Sequence, residues 1–414
     1  MSDGWRSGTD PEAFAPDLSG LPPLPDRSGS PDASGRRVAV VGAGAVGATA
    51  AGDLAVAGAD VTLFDRGDPL AAEGPTAGSS GRAAGVLYDA FAEDVDARVA
   101  DRALSRFRAF SGAGDFAFHP CPYVLLAREG DERRAAAVEE AVVGMRRHGR
   151  DVSLVDADGL RDRFPTLRTD DVGVAAVAEG AGWTDPGSYV RAVAERAVEV
   201  GVDLRSDCPV GLSFDGDAPA VTTEGDPERF DAVLVAAGAH TKALLADAGV
   251  PVPLKPYRVQ ALTSRAGYDG PMGYDATAGF YFRPHPTGLL AGDGTEPVEI
   301  DPDDWPRDAD DWFVDDLRSG LQHRAGHTLD VDRAWAGLCV ATPDRNPMVG
   351  ELRAGLYVAA GWQGHGFMRA PATAEAAART VLGGDSLPGF DPGRFDGSER
   401  FEVVEGMSLG EEEA

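Results

Sequence analysis

A chain of 414 residues is long enough for two domains with separate cores. Its formal net charge of −30, from 68 acidic against 38 basic residues, argues against nucleic acid or an anionic membrane as a partner. No apolar run reaches the ~18 residues of a membrane span. Cys121, Cys208 and Cys339 are too few and too scattered for a disulfide framework or a metal site.

No basic segment followed by an apolar one opens the chain, so no secretory signal and a cytoplasmic location are expected. The acids are spread along the chain, and Lys242 and Lys255 are its only lysines. Such a surface is similar to that of proteins from salt-loving organisms, where salt screens self-repulsion. An acidic protein from a GC-rich genome would look the same, and neither reading bears on chemistry.

Residues 1–35, rich in Pro, Gly, Ser and Asp, are expected to form a disordered tail. Val38 to Val41 then reads as a buried strand, and Gly42-Ala43-Gly44-Ala45-Val46-Gly47 as a glycine turn entering a helix. The three glycines have the G-x-G-x-x-G spacing. They permit a tight turn, close approach of backbone to a pyrophosphate, and close helix–strand packing. The free N–H groups of the helix start would meet the phosphates. A second strand, Asp60 to Phe64, ends at Asp65, where a ribose-binding carboxylate belongs. Strand, glycines, helix, second strand and acid together point to a bound dinucleotide.

Gly78 to Val86 is a loop of small residues with one cation, Arg82. Backbone there can lie against a flat ligand, with Arg82 on an anion or a flavin ring; a flexible loop with a solvated arginine is the plainer reading. Helical periodicity marks residues 94–111 and 131–147. Phe118 to Ala127 reads as a strand interrupted by Pro120 and Pro122, and Val172 to Val177 as another. Asp185-Pro186 has the form of a helix cap.

Phe230 to Val235, apolar apart from Asp231 and followed by Ala236-Ala237-Gly238, reads as a further crossover into the first sheet, with room for a cofactor edge. Val259 to Ser264, Phe280 to Pro284 and Gly288 to Gly292 alternate like an antiparallel sheet. Tyr281 and Arg283 share one face there. They would suit a carboxylate substrate, or simply form the polar face of a sheet. Residues 302–320 are acidic and expected to be helical. Gly355 to Ala360 leads into Gly361-Trp362-Gln363-Gly364-His365-Gly366-Phe367-Met368, a second strand–glycine turn–helix unit. Two such turns can hold opposite ends of a long dinucleotide such as FAD.

With these motifs in view, residues 36–396 resemble the FAD-dependent amine and amino-acid oxidoreductases: the D-amino-acid oxidase, glycine oxidase, sarcosine oxidase and dimethylglycine dehydrogenase group. The likeness rests on the first glycine motif with Asp65, Gly78 to Val86, Ala236-Ala237-Gly238, Trp335-Ala336-Gly337, Thr342-Pro343-Asp344 and Gly361 to Phe367. It implies an α/β fold: a Rossmann-like FAD-binding domain from residues 36–93, 172–250 and 340–396, and a substrate domain on a mixed, largely antiparallel sheet from 94–171 and 251–339. An acidic tail over 397–414 would follow.

It further implies that residues 42–47, Asp65 and Arg66 hold the ADP half of FAD, with Val210 at the adenine. Ser79, Ser80, Arg82 and Ala83 would line the flavin side, with Ala237 and Gly238 beside it. Gly361, Gly364, His365, Gly366, Phe367 and Met368 would face the flavin's pyrimidine end, where negative charge grows on reduction. The implied reaction is oxidation of a C–N bond in an amino acid or amine, giving an imine that hydrolyses, with oxygen or an electron-transfer protein as acceptor. Tyr281, Arg283 and His365 are the candidate catalytic residues. A flavin-dependent 2-hydroxy-acid dehydrogenase and a flavin-binding subunit of an electron-transfer complex are the alternatives.

Three departures qualify the likeness. Where glycine oxidase and D-amino-acid oxidase carry a carboxylate-gripping arginine, this chain has Cys339, so Arg283 would have to replace it. Where monomeric sarcosine oxidase has an oxygen-activating lysine, this chain has Met368, which favours a dehydrogenase or a slow oxidase over a fast oxidase. The flavin-bearing histidine of the dimethylglycine-dehydrogenase-like members has no counterpart. Non-covalent FAD is therefore expected, with Cys339 the one candidate for a covalent link.

Overall fold

The computed structural model describes residues 33–71, 78–89, 94–216 and 218–404. At its centre lies Arg37–Val41, whose last four residues are buried on both faces, the pattern of an inner parallel strand. It is flanked in parallel by Asp60–Phe64 and Ala232–Val235. Val41 is in register with Phe64 on one side and Val235 on the other, so the glycine turn, Asp65 and Ala236 all leave the sheet at one carboxyl edge. Leu356–Ala360 and Asp203–Arg205 extend the sheet in parallel, and Met348–Arg353 closes one edge antiparallel.

The helix after the glycine turn, Ala45–Val56, is mostly small residues and packs between Pro186–Glu199 and Gly366–Val381. A Cβ on Gly47 would collide with the carbonyl of Gly42, so only glycine lets the helix sit this close to its strand. The helix Pro186–Glu199 starts as expected: Asp185 accepts the N–H of Ser188, with Pro186 in the first turn.

The second sheet has eight strands in the order 331–341, 255–264, 288–296, 280–285, 272–275, 123–128, 172–178 and 152–155. All neighbours are antiparallel except Met272–Asp275 against Tyr123–Arg128. Val172–Ala178 is thus a strand of this sheet, although residues 172–250 were grouped above with the dinucleotide unit. Its run is apolar on both faces, and periodicity alone cannot assign such a strand to a sheet.

Two further expectations are corrected. The acidic helix spans Asp311–Ala325 and not 302–320: the Asp310 N–H donates to Gln260 Oε1 and its carboxylate takes Arg258, which fixes the chain before the helix starts. Of the expected tail at 397–414, residues 397–404 are described, and Phe401 and Val403 are seated on the large sheet. Val403 packs with Tyr257 and Ala341, and the carbonyl of Phe401 accepts Lys255. Residues 1–32 and 405–414, the rest of the two expected tails, lie outside the described residues.

Behind the large sheet, Arg324 and Asp275 form an ion pair at 3.0 Å with both side chains wholly buried. Arg128 donates to the same carboxylate oxygen at 2.9 Å, and Asp171 takes Arg324 on its other side at 3.0 Å. A buried pair of this kind adds little against an apolar alternative, but removing Asp275 leaves two guanidiniums, Arg324 and Arg128, with Asp171 as their shared carboxylate. Asp275→Ala should therefore lower stability by about 3–5 kcal/mol, read as a drop in the urea midpoint.

Candidate functional site

The carboxyl edge of the parallel sheet opens into a cavity of about 830 Å³ that runs from the first glycine turn to the face of the eight-stranded sheet. That size falls within the range of small-molecule and cofactor sites.

At one end the glycine turn forms a cradle. Gly42 has φ +104°, and a Cβ there would strike the backbone of Ala236. A Cβ on Gly44 would press against Ser80 Oγ at 3.1 Å. Asp65 is aimed by the loop itself: Oδ2 accepts the N–H of Ala43 at 2.6 Å and Oδ1 that of Gly67 at 2.8 Å. Gly42 to Val46, Asp65, Arg66, Val210, Ala237 and Gly238 all line the cavity. Gly47 does not; it serves helix–strand packing. These are the features a dinucleotide needs: backbone open to a pyrophosphate, a helix N-terminus and an oriented carboxylate.

The middle of the cavity is built by the loop 78–86 and the turn 361–368. Ser79, Ser80, Arg82 and Ala83 line it from one side. Ser80 Oγ accepts the N–H of Ala45 at 3.0 Å, so it caps the phosphate-facing helix as well. Arg82 is buried. Its Nη1 donates to the carbonyl of Ala336 at 2.8 Å, while Trp335 Nε1 donates to the Arg82 carbonyl at 3.0 Å. The solvated-arginine reading of that loop is thereby excluded. Gly361, Gly364, Gly366, Phe367 and Met368 line the opposite side, at the start of Gly366–Val381. Cys339 lines the cavity too.

His365 is brought to the same turn, but its ring is not in the cavity wall. Its Nε2 is buried, and burial with the Arg369 guanidinium pushes its pKa down to about 4, so the ring is neutral near pH 7. Arg283 is not in the wall either. Its Nε donates to Ala84 O at 2.6 Å, Nη1 to Pro284 O at 2.7 Å and Nη2 to Thr184 O at 3.4 Å, and it stacks on Trp183. It shares a strand face with Tyr281, as its position requires, but that part of the face lies beneath the loop. Each of these donors serves a carbonyl, so Arg283 does not stand in for the missing carboxylate grip.

Tyr281 does line the cavity. Its strand neighbour Gly292 is what admits it, since a Cβ there would collide with the Tyr281 hydroxyl. Tyr274, Tyr281, Gly292, Ala261 and Trp335 form one cross-strand row over this face.

Four residues missed above belong to this end of the cavity: Tyr88, Tyr123 and Asp293 in its lining, and Tyr274 in the row itself. Tyr88 and Tyr123 stack with centroids 4.5 Å apart. Burial, chiefly, pushes the Tyr88 phenol up to about 12. The first two tyrosines come from segments far from Tyr281 in sequence, so no local pattern links them. Asp293 had a signal, because the run Gly292-Asp293-Gly294 inside a strand suggests a bulge.

Known proteins supply the remaining evidence. Residues 37–380 match the family model described as FAD dependent oxidoreductase. FAD-dependent oxidoreductase domain-containing protein 1 of Xenopus laevis is 28% identical over 314 residues, 65% of this chain and 62% of the relative. The 4-methylaminobutanoate oxidase (formaldehyde-forming) of Paenarthrobacter nicotinovorans is 29% identical over 399 residues, 87% of this chain and 45% of the relative. The chain thus spans less than two thirds of the length of either. Among solved structures, L-proline dehydrogenase from P. horikoshii superposes with a TM-score of 0.78 at 26% identity, covering 88% of this chain and 98% of that one. A family match that runs from the glycine strand into the last helix fixes the class: the chain belongs to the FAD-dependent oxidoreductases, and FAD is its cofactor.

Proposed function

We propose that this chain oxidises a C–N bond of an amine or amino acid with FAD, releasing an imine that water hydrolyses. The observation that carries the reading is the continuity of the cavity: the dinucleotide cradle and the tyrosine-lined sheet face line one and the same space. A substrate held on that face lies against whatever the middle of the cavity holds. Relatives named for oxidation of a methylamino acid and of proline support the choice of C–N over C–O chemistry.

FAD, when bound, accepts the hydride equivalent from the carbon beside the nitrogen. Gly42, Gly44 and the start of Ala45–Val56 would receive its phosphates, and Asp65 its ribose. The N–H groups at the start of Gly366–Val381 would stabilise negative charge that develops on it. Tyr88, Tyr123, Tyr274 and Tyr281 orient the substrate and keep water from it. His365 contributes backbone, not an acid–base ring. Met368 and the absence of a nearby lysine favour a protein or other non-oxygen acceptor. The flavin is held without a covalent bond, Cys339 being a wall residue only. The parallel sheet with its helices forms the FAD-binding part, and the eight-stranded sheet forms the substrate part.

The purified protein should show flavin absorption bands that pass to the supernatant on acid precipitation; colour kept in the pellet would point to Cys339 as an anchor. Anaerobic addition of secondary amines such as sarcosine, 4-methylaminobutanoate or proline should bleach those bands, and 2-hydroxy acids should not. Bleaching by hydroxy acids alone would overturn the reading. Gly44→Val and Asp65→Ala should each weaken FAD retention by about tenfold or more, the equivalent of ~1.4 kcal/mol, read by dialysis against FAD-free buffer. His365→Asn should leave the pH profile of turnover unchanged between about pH 5 and 9, because a group with a pKa near 4 is neutral across that range. Loss of a titration limb in that variant would return the ring to the mechanism.

A further inference from the structure

The strand Gly288–Glu296 is irregular at one place. Gln260 is in register with Asp293 and Arg258 with Glu296, so two steps on one strand match three on the other. This is a β-bulge, and bulges near active sites re-aim side chains. Regular alternation would turn Asp293 away from the cavity, since Gly292 already faces it. Instead Asp293 takes φ +136°, a conformation side chains rarely adopt, followed by Gly294 at +40°. The result is an acid that lines the cavity while its side chain is almost fully buried. Thr295 Oγ1 donates to Asp293 Oδ1 at 3.2 Å and fixes the carboxylate's orientation. Strain of this kind at a cavity wall points to a role beyond folding.

The surroundings of Asp293 suit one kind of ligand. Asp293 shares the cavity wall with Tyr88, Tyr123 and Tyr274, and the first two of these tyrosines form the stacked pair. Aromatic faces with a buried carboxylate attract a cationic nitrogen. The opposite charge is poorly placed here. Arg283 is spent on carbonyls, and position 339 is a cysteine. Arg82 and Arg307 flank Trp305, with Arg82 held on Ala336 at the outer edge of Val331–Ala341, two strands from Asp293.

We propose that Asp293 is the specificity-determining residue of this cavity, drawing a cationic nitrogen of the substrate to the tyrosine wall and taking its proton, so that the neutral amine left there can give up hydride and ammonium-bearing amines are preferred over substrates addressed through a carboxylate. That it is a substrate site rests on the amine-oxidation reading above.

The test uses the FAD-loaded protein at constant ionic strength, with tetramethylammonium and acetate as probes that cannot be oxidised. Each is titrated while the flavin difference spectrum is recorded. Tetramethylammonium should perturb the spectrum and saturate, at lower concentration than acetate. Asp293→Asn should weaken its binding roughly 10- to 100-fold and raise KM for oxidisable amines more than it lowers kcat. Acetate binding more tightly than tetramethylammonium, or no binding of tetramethylammonium, would overturn the proposal on the wild-type protein alone, whether or not the variant folds. An unchanged tetramethylammonium affinity in a normally coloured Asp293→Asn protein would overturn it too. Anaerobic bleaching separates the two readings. Amines that bleach a flavin blind to tetramethylammonium remove the role of Asp293 and keep the oxidation. A cation site on a flavin that no amine bleaches keeps the role of Asp293 in binding and removes the oxidation.

Discussion

Two buried arginines fasten the loop 78–86 to the eight-stranded sheet, and the cavity depends on that fastening. Arg82 reaches out of the loop to the carbonyl of Ala336, and Arg283 reaches out of the sheet to the carbonyls of Ala84 and Thr184. Neither has a carboxylate in these contacts. A guanidinium can serve carbonyls in this way because its planar fork carries five donors and holds its charge even when desolvated. Burial lowers the pKa of Arg283 to about 10, which still leaves it charged at neutral pH. The loop is thereby set as one wall of the cavity, with the parallel sheet's glycine turn on one side of it and the tyrosine face on the other.

Glycines decide what the walls can approach. Gly42 and Gly47 bring the first helix down onto its strand, and Gly44 keeps the turn open to the cavity. On the far sheet Gly292 does the same for a side chain, leaving space for Tyr281. The cavity is therefore shaped as much by missing Cβ atoms as by the residues that line it. The aromatic cluster then gives that end a surface that is apolar in body and polar at the tip, suited to orienting a small substrate.

The formal charge of −30 comes from acids spread along the whole chain. Many of the acids pair with arginines at the surface, as Asp170 does with Arg168 and Asp203 with Arg205, and exposed pairs of this kind contribute little to stability. The buried pairs are fewer and more consequential, since Asp275 serves both Arg324 and Arg128. Among the described residues no helix is long and apolar enough to cross a membrane.

The sequence by itself determined the dinucleotide half. Its glycine spacing, the acid ending the second strand and the glycine-rich turn before the last helix are local patterns, and each patterned residue must do its work within a few positions of its neighbours. The period of two also placed Tyr281 and Arg283 on one face, which is as much as a period can say. Only the tertiary structure decided which part of that face is open: Tyr281 meets the cavity and Arg283 lies under the loop, because a segment two hundred residues away in the chain covers one end of the strand. The same holds for His365, whose turn lines the cavity while its ring does not, and for Val172–Ala178, whose sheet was set by long-range pairing with Tyr123–Arg128. The substrate end was illegible for this reason. Tyr88, Tyr123, Tyr274 and Asp293 come from four separate segments, and what joins them is strand order and one bulge, neither of which a local pattern encodes.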